Sequence, residues 1–345
     1  MIATLLVAAA ALPLEVPLER HPGIDTVAGV VEGPLGSRLR TYATAPAGTG
    51  RLAGIFVVGW LSCDSVALTA PEPRGVERLL QDVVRKSGAL VLRMDKPGVG
   101  DSEGDCAQTD FVTELDAYRR AFAVFLRHPR LDPSRVILLG ISNGGGFAPL
   151  VAQDAPVAAY VTVGGWSKTW FEHMIDLERR RVVLAGADPA SVGPSLKALA
   201  EFHAAYLFDR LTPAQVAERR PHLKGVWYDG PDSQYGRPAR FYQQLQDLDL
   251  AAAWGRVRAP TLVVWGAYDW IMERADQEQI VRLVGRSARL LVVPRADHSF
   301  SVHPDAGTAF RRMGAGTYPS AAAEEILAFL RSPQRAQPKN TAATP

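Results

Sequence analysis

The tightest constraint in this 345-residue chain is the stretch Val136-Ile137-Leu138-Leu139-Gly140-Ile141-Ser142-Asn143-Gly144-Gly145-Gly146. Four branched apolar residues in a row suit a strand covered on both faces, and the glycines that follow demand a tight turn. Gly140-Ile141-Ser142-Asn143-Gly144 fits the pattern G-x-S-x-G, whose small flanking residues let a strand and a helix pack closely around a strained bend. Ser142 then stands at the apex of the bend, over a helix N-terminus. The free N–H groups there favour negative charge as it develops. Such a pentapeptide also arises by chance, so the rest of the chain has to supply its partners.

Around this stretch the chain alternates. Strand runs at 52–58, 89–93 and 158–163 are interleaved with helical periodicity at 74–86 and 109–127, which predicts a mostly parallel α/β sheet with helices on both faces. Segments 26–32 and 39–45, split by Gly33-Pro34-Leu35-Gly36, predict an antiparallel hairpin at one sheet edge. Thr109 reads as the N-cap of the second helix, with Asp110 and Glu114 supplying negative charge near its start; Val112 leaves the capping box incomplete. Between residues 166 and 250 the alternation stops, and helices at 168–184, 194–209, 213–219 and 238–246 predict an insertion lying over the strand ends as a lid. The sheet resumes with strands at 261–265 and 289–293 and helices at 274–285 and 321–330. The core thus divides into residues 21–165 and 251–331, and the polar, Pro- and Ala-rich segment 332–345 reads as a disordered tail.

A formal charge of +2 and the absence of basic clusters argue against nucleic acid, and Arg179-Arg180-Arg181 reads as a solvated helix face. No segment after the first twenty residues is apolar for long enough to span a membrane. Residues 1–20 read as a signal peptide, with Ala8 to Ala11 offering small-residue cleavage sites. They lack the usual Lys or Arg before the apolar run, so an amphipathic or buried N-terminal segment is the alternative. The expected location is therefore secreted or periplasmic, with the cytoplasm as alternative. Cys63 and Cys106 each follow a predicted strand on one sheet edge; a disulfide suits an exported protein, and two thiols packed as small hydrophobes are the competing arrangement. The histidines at 21, 128, 173, 203 and 222 lack metal-ligand spacing and read as surface or capping residues, so neither metal nor cofactor is expected.

A serine hydroxyl needs a base, and the base needs a carboxylate to fix its tautomer. Asp269 stands four residues past the strand at 261–265, and His298 stands in the loop after the next strand, so with Ser142 all three fall at strand C-termini, where open α/β sheets bind ligands. Asp297 and His303 are the rival acid and base. Adjacency disfavours Asp297, since a neighbour in sequence seldom points at the His298 ring, and His303 lies farther past the strand.

With the order Ser, Asp, His at strand ends and the helical insertion, the chain resembles the α/β-hydrolase superfamily of serine hydrolases over nearly its whole length. The loop Asp95-Lys96-Pro97-Gly98-Val99-Gly100-Asp101-Ser102 is similar to the turn after the fourth strand in the serine-aminopeptidase and dienelactone-hydrolase-like groups. The resemblance implies an oxyanion hole made by the N–H groups of Asn143 and, by position, Trp60; Val58-Gly59 replaces the family's usual His-Gly, which leaves Leu61 as an alternative donor. It implies cleavage of a small carboxylic ester through an acyl-enzyme. The alternatives are a peptidase or amidase acting on short peptides and a non-catalytic binding protein on the same fold. Asp64, Asp101 and Trp166 are candidates for the pocket border. Lid aromatics Trp170, Phe171, Phe202, Tyr206, Phe208 and Trp227 either line an apolar chamber or pack the lid helices, and the extra glycines Gly145 and Gly146 point to close packing of the nucleophile helix beneath that lid.

Overall fold

The computed structural model describes residues 15–153 and 155–333, so residues 1–14 of the expected leader and 334–345 of the expected tail lie outside the described residues. The chain opens with an antiparallel pair, β1 (Ile24–Glu32) and β2 (Arg38–Pro46). There follow β3 (Leu52–Val58), α1 (Gly75–Lys86), β4 (Leu90–Met94), α2 (Phe111–Phe125), β5 (Leu131–Ile141), α3 (Asn143–Ala152) and β6 (Ala159–Val163). The insertion holds α4 (Trp170–Leu184), α5 (Pro189–Leu207), α6 (Pro213–Arg219), a two-stranded ribbon of β7 (Ser233–Gln234) and β8 (Arg237–Pro238), and α7 (Ala239–Gln246). After α8 (Leu250–Gly255) come β9 (Thr261–Gly266), α9 (Arg274–Val284), β10 (Ala288–Val293), α10 (Ala306–Arg311) and α11 (Ser320–Arg331).

Eight strands form one sheet in the order β1-β2-β4-β3-β5-β6-β9-β10, parallel from β4 to β10. The strand pleat divides the core between its two faces. Ile55, Val57, Ile137 and Leu139 pack with α1 and α11, while Phe56, Val58 and Leu138 pack with α2, α3 and the insertion. The uninterrupted apolar runs are thus strands buried on both faces.

Helix starts differ from the sequence expectation in two places. Asp110, not Thr109, caps α2: its carboxylate accepts from Thr113 N, while the Thr109 hydroxyl turns back to Asp105 O at 2.8 Å. Helix α5 begins at Pro189 under an Asp188 cap, so Pro194 lies inside it instead of starting it. Glu19, inside the 1–20 segment read as a leader, is buried and pairs with the fully buried Arg93, so the end of that segment is part of the packed molecule. Among the described residues no helix is long and apolar enough to cross a membrane, and no group of His, Cys, Asp or Glu is arranged to hold a metal ion.

Candidate active site

Ser142 sits at the sharp bend between β5 and α3, with φ 54° and ψ −123°. A non-glycine residue in that region carries about 1–3 kcal/mol of strain and persists only where its surroundings fix it. They do so here through bare backbone. A Cβ on Gly144 would lie 2.2 Å from Gly59 O and 2.4 Å from Val58 O, and one on Gly140 would lie 2.7 Å from Gly144 O. Glycine at both positions is what lets β3, β5 and α3 meet, and Ser142 N is anchored to Val163 O at 2.8 Å.

The loop after β9 carries Asp269. Its Oδ1 accepts from the N–H groups of Ile271 and Met272, both at 2.9 Å, and its Oδ2 lies 2.8 Å from His298 Nδ1. On the other side of the ring, His298 Nε2 is 2.8 Å from Ser142 Oγ. With Nδ1–H donating to the carboxylate, Nε2 is left as the acceptor for the serine hydroxyl, the tautomer a general base needs. Burial works against the imidazolium, but the charge and hydrogen bond of Asp269, helped by Asp297, outweigh it and hold the His298 pKa above the ordinary histidine value.

The rival acid and base are engaged with each other. His303 Nε2 is 2.7 Å from Asp297 Oδ2, and Asp297 also accepts from Ser301 N and Gly314 N at 2.9 and 2.6 Å. This buried pair braces the loop that carries His298.

Above Ser142 lies a cavity of about 560 Å³. Trp60, Leu61, Asn143 and Asp64 line its floor and side, and among the described residues none accepts a hydrogen bond from the N–H of Trp60, Leu61 or Asn143. The insertion contributes Trp170, His173, Leu177 and Tyr235. Of the six lid aromatics named from sequence, Trp170 is the one in the lining. Phe202 stacks on Trp227 with ring centroids 5.0 Å apart, Tyr206 joins them, and Phe171 meets Phe208 at 5.3 Å, so these rings pack the insertion.

Other candidates are placed elsewhere. Asp101 accepts from Val16 N at 3.1 Å and faces Arg40, away from the cavity lining. Trp166 is fully buried behind the cavity wall, against Trp170 and His173. Three histidines read as surface or capping residues are in fact buried: His21 lies beside Glu19, His203 sits among Phe202, Tyr206 and Trp227, and His173 between Trp166 and Trp170. Burial holds His173 well below the ordinary histidine pKa, and Lys168, Arg180 and His298 add to the effect, so it is a neutral imidazole in the cavity lining. The three-residue spacing of Trp170 and His173, which puts both on one helix face, is the sequence signal that could have found it. Cys63 and Cys106 form a disulfide that ties the loop beside Trp60 to the segment before α2.

The family description "alpha/beta hydrolase fold" matches residues 70–303, well over half of the chain. The chain belongs to the α/β-hydrolase fold family. No curated protein matches it. Among solved structures, this α/β-hydrolase resembles Est1E from Butyrivibrio proteoclasticus with ferulic acid bound (TM-score 0.58, 15% identity, 88% of this chain and 98% of that one). It also resembles an esterase from Pyrococcus furiosus (0.55, 12%, 92% and 95%) and the esterase RhEst1 from a Rhodococcus species (0.52, 14%, 88% and 98%). At such identities the likeness is one of fold.

Proposed function

We propose that the protein is a serine hydrolase that cleaves a small carboxylic ester with an apolar acyl group. The observation that carries this is the continuous hydrogen-bonded chain from Ser142 through His298 to Asp269 at the floor of the cavity. In the first half-reaction Ser142 Oγ attacks the ester carbonyl carbon while His298 Nε2 takes its proton. The oxyanion accepts hydrogen bonds from Asn143 N–H and from the Trp60 or Leu61 N–H. Collapse of the tetrahedral intermediate expels the alcohol, which receives the proton from His298; water then repeats the sequence on the acyl-enzyme and restores the serine. Asp269 orients the ring and stabilises its charged form, and water is the co-reactant consumed in the second half as the carboxylic acid leaves.

The apolar rings and methionines around Ser142 favour an acyl chain or aryl group over a charged peptide, and the esterases among its structural relatives support the choice of ester. The Cys63–Cys106 bridge supports an exported protein, since such bridges persist in oxidising compartments. Turnover of short p-nitrophenyl acyl esters compared with aminoacyl anilides tests the reading. Ester turnover at least a hundredfold faster is the expected result, and faster anilide cleavage would make the protein a peptidase.

A further inference from the structure

The loop after β3 is gripped from beneath by one cation. Lys96, in the turn after β4, is buried, and its Nζ donates to the carbonyl oxygens of Trp60 at 2.8 Å, of Leu61 at 3.1 Å and of Ser62. An ammonium has three N–H donors, and here each has its own backbone acceptor. The same loop is held at its ends, where Gly59 N donates to Tyr118 Oη at 3.1 Å and Cys63 is bridged to Cys106. Because a trans peptide is planar, fixing the Trp60 carbonyl also fixes the Leu61 N–H on the opposite side of the same plane, and the next two planes follow in turn.

We propose that Lys96, as the ammonium ion, is a positioning residue for the active site: its three hydrogen bonds set the peptide planes of the loop that supplies the second oxyanion donor. This rests on the ester-hydrolase reading above. The motif Asp95-Lys96-Pro97-Gly98 thereby acquires a role that its turn chemistry alone does not explain.

The grip depends on protonation. A neutral amine has only two N–H donors and turns a lone pair towards the third carbonyl, and it loses the charge that attracts all three. Burial pushes the Lys96 pKa down to about 8; Glu114 of α2, Asp64 of the loop itself and Asp95 beside it favour the charge, while Arg237 of β8 opposes it. Glu114 is largely committed to Arg237, with which it forms a fully buried pair, and Tyr118 is pushed far above the working range by its own burial. The neighbours therefore leave Lys96 as the group that titrates near pH 8. Because its native pKa lies below the unfolded value of 10.5, the unfolded chain binds more protons between those two values, and Lys96's contribution to stability rises with pH there. A fall in turnover over that window is then a change in the site and not unfolding driven by this residue. His298 moves the other way, since a base gains activity as it loses its proton.

The test is steady-state hydrolysis of p-nitrophenyl butyrate by the full chain from pH 6 to 10, with buffer blanks subtracted and folding followed by circular dichroism, for wild type, Lys96→Met and Lys96→Arg. The wild-type kcat is expected to fall several-fold with an apparent pKa near 8 while KM moves less than about threefold, because loosened donors weaken the transition state more than the substrate complex. Lys96→Met is expected to lower kcat about a hundredfold and to abolish the falling limb. Lys96→Arg, charged throughout the range, is expected to recover part of kcat and to keep it flat above pH 8. A wild-type kcat that stays level from pH 7.5 to 10, or a Lys96→Met enzyme within threefold of wild type, overturns the proposal while leaving the ester-hydrolase reading intact. If Lys96→Met does not fold, Lys96→Arg decides: a folded arginine variant that keeps the wild-type falling limb takes that limb away from Lys96 and overturns the proposal. A folded wild type that hydrolyses no ester sinks both.

Discussion

Adding a single methyl at Gly146 tests how closely the helix behind Ser142 is packed against the insertion. A Cβ there would stand 2.3 Å from Trp166 Nε1, 2.5 Å from Cδ1 and 3.0 Å from Cε2. The indole cannot simply retreat, because Trp166 is fully buried and both Trp170 and His173 lie against it with ring centroids 5.4 Å away. Overpacking of this kind costs about 1–3 kcal/mol, towards the upper end at such separations. Alanine's better helix propensity returns up to about 1 kcal/mol. The net loss is about 1–2 kcal/mol, which at an unfolding entropy of roughly 2 cal/mol/K per residue lowers Tm by about 1–3 °C in a chain of this size. Since Trp170 and His173 line the cavity, the displaced wall should raise KM several-fold, whereas kcat should hold because the His298 to Ser142 hydrogen bond is not touched. Thermal melting and steady-state ester hydrolysis of Gly146→Ala read both effects. A variant with wild-type Tm and wild-type KM would refute the idea that close packing at this position shapes the cavity.

Three further outcomes follow from the same geometry. Because Asp269 raises the His298 pKa and a base works only when neutral, activity should rise with pH through a midpoint above 6.5. Asp269→Asn should move that limb to lower pH and cut kcat by about 10⁴-fold, as read from a pH–rate profile. Replacing Cys63 and Cys106 by serine opens a loop with a sequence separation of 43 and should lower the unfolding free energy by about 4 kcal/mol in a denaturant titration. Glu19→Ala leaves the buried Arg93 guanidinium without its carboxylate and should cost about 3–5 kcal/mol. By the same reasoning an exported chain keeps Glu19, and N-terminal sequencing of the mature protein should start before it.

The parts of the site legible in the sequence are those set by strands. β3, β5, β6 and β9 are apolar enough to be placed by pattern, and Ser142, Asp269 and His298 are brought together because each stands just past the end of a strand in one parallel sheet. Caps and short elements were harder. Thr109 and Asp110 are both good caps, and the choice turns on where the threonine hydroxyl finds an acceptor; β7, β8 and α8 are too short to show a period. The insertion was legible as helical, but periodicity names an apolar face without naming what it meets. Hence Trp170 and His173 face the cavity while Phe202 and Trp227 stack on each other. Lys96 lay furthest from view, since its three partners are backbone carbonyls and carry no signature in residue type.

The most direct test of the central claim is labelling of the full chain with a fluorophosphonate, followed by mass spectrometry of the digest. One adduct per chain on Ser142, absent from Ser142→Ala and formed far more slowly in His298→Ala, is the predicted result. A folded wild type that takes no label, or a Ser142→Ala variant that labels as well as wild type, would contradict the assignment of Ser142 as nucleophile.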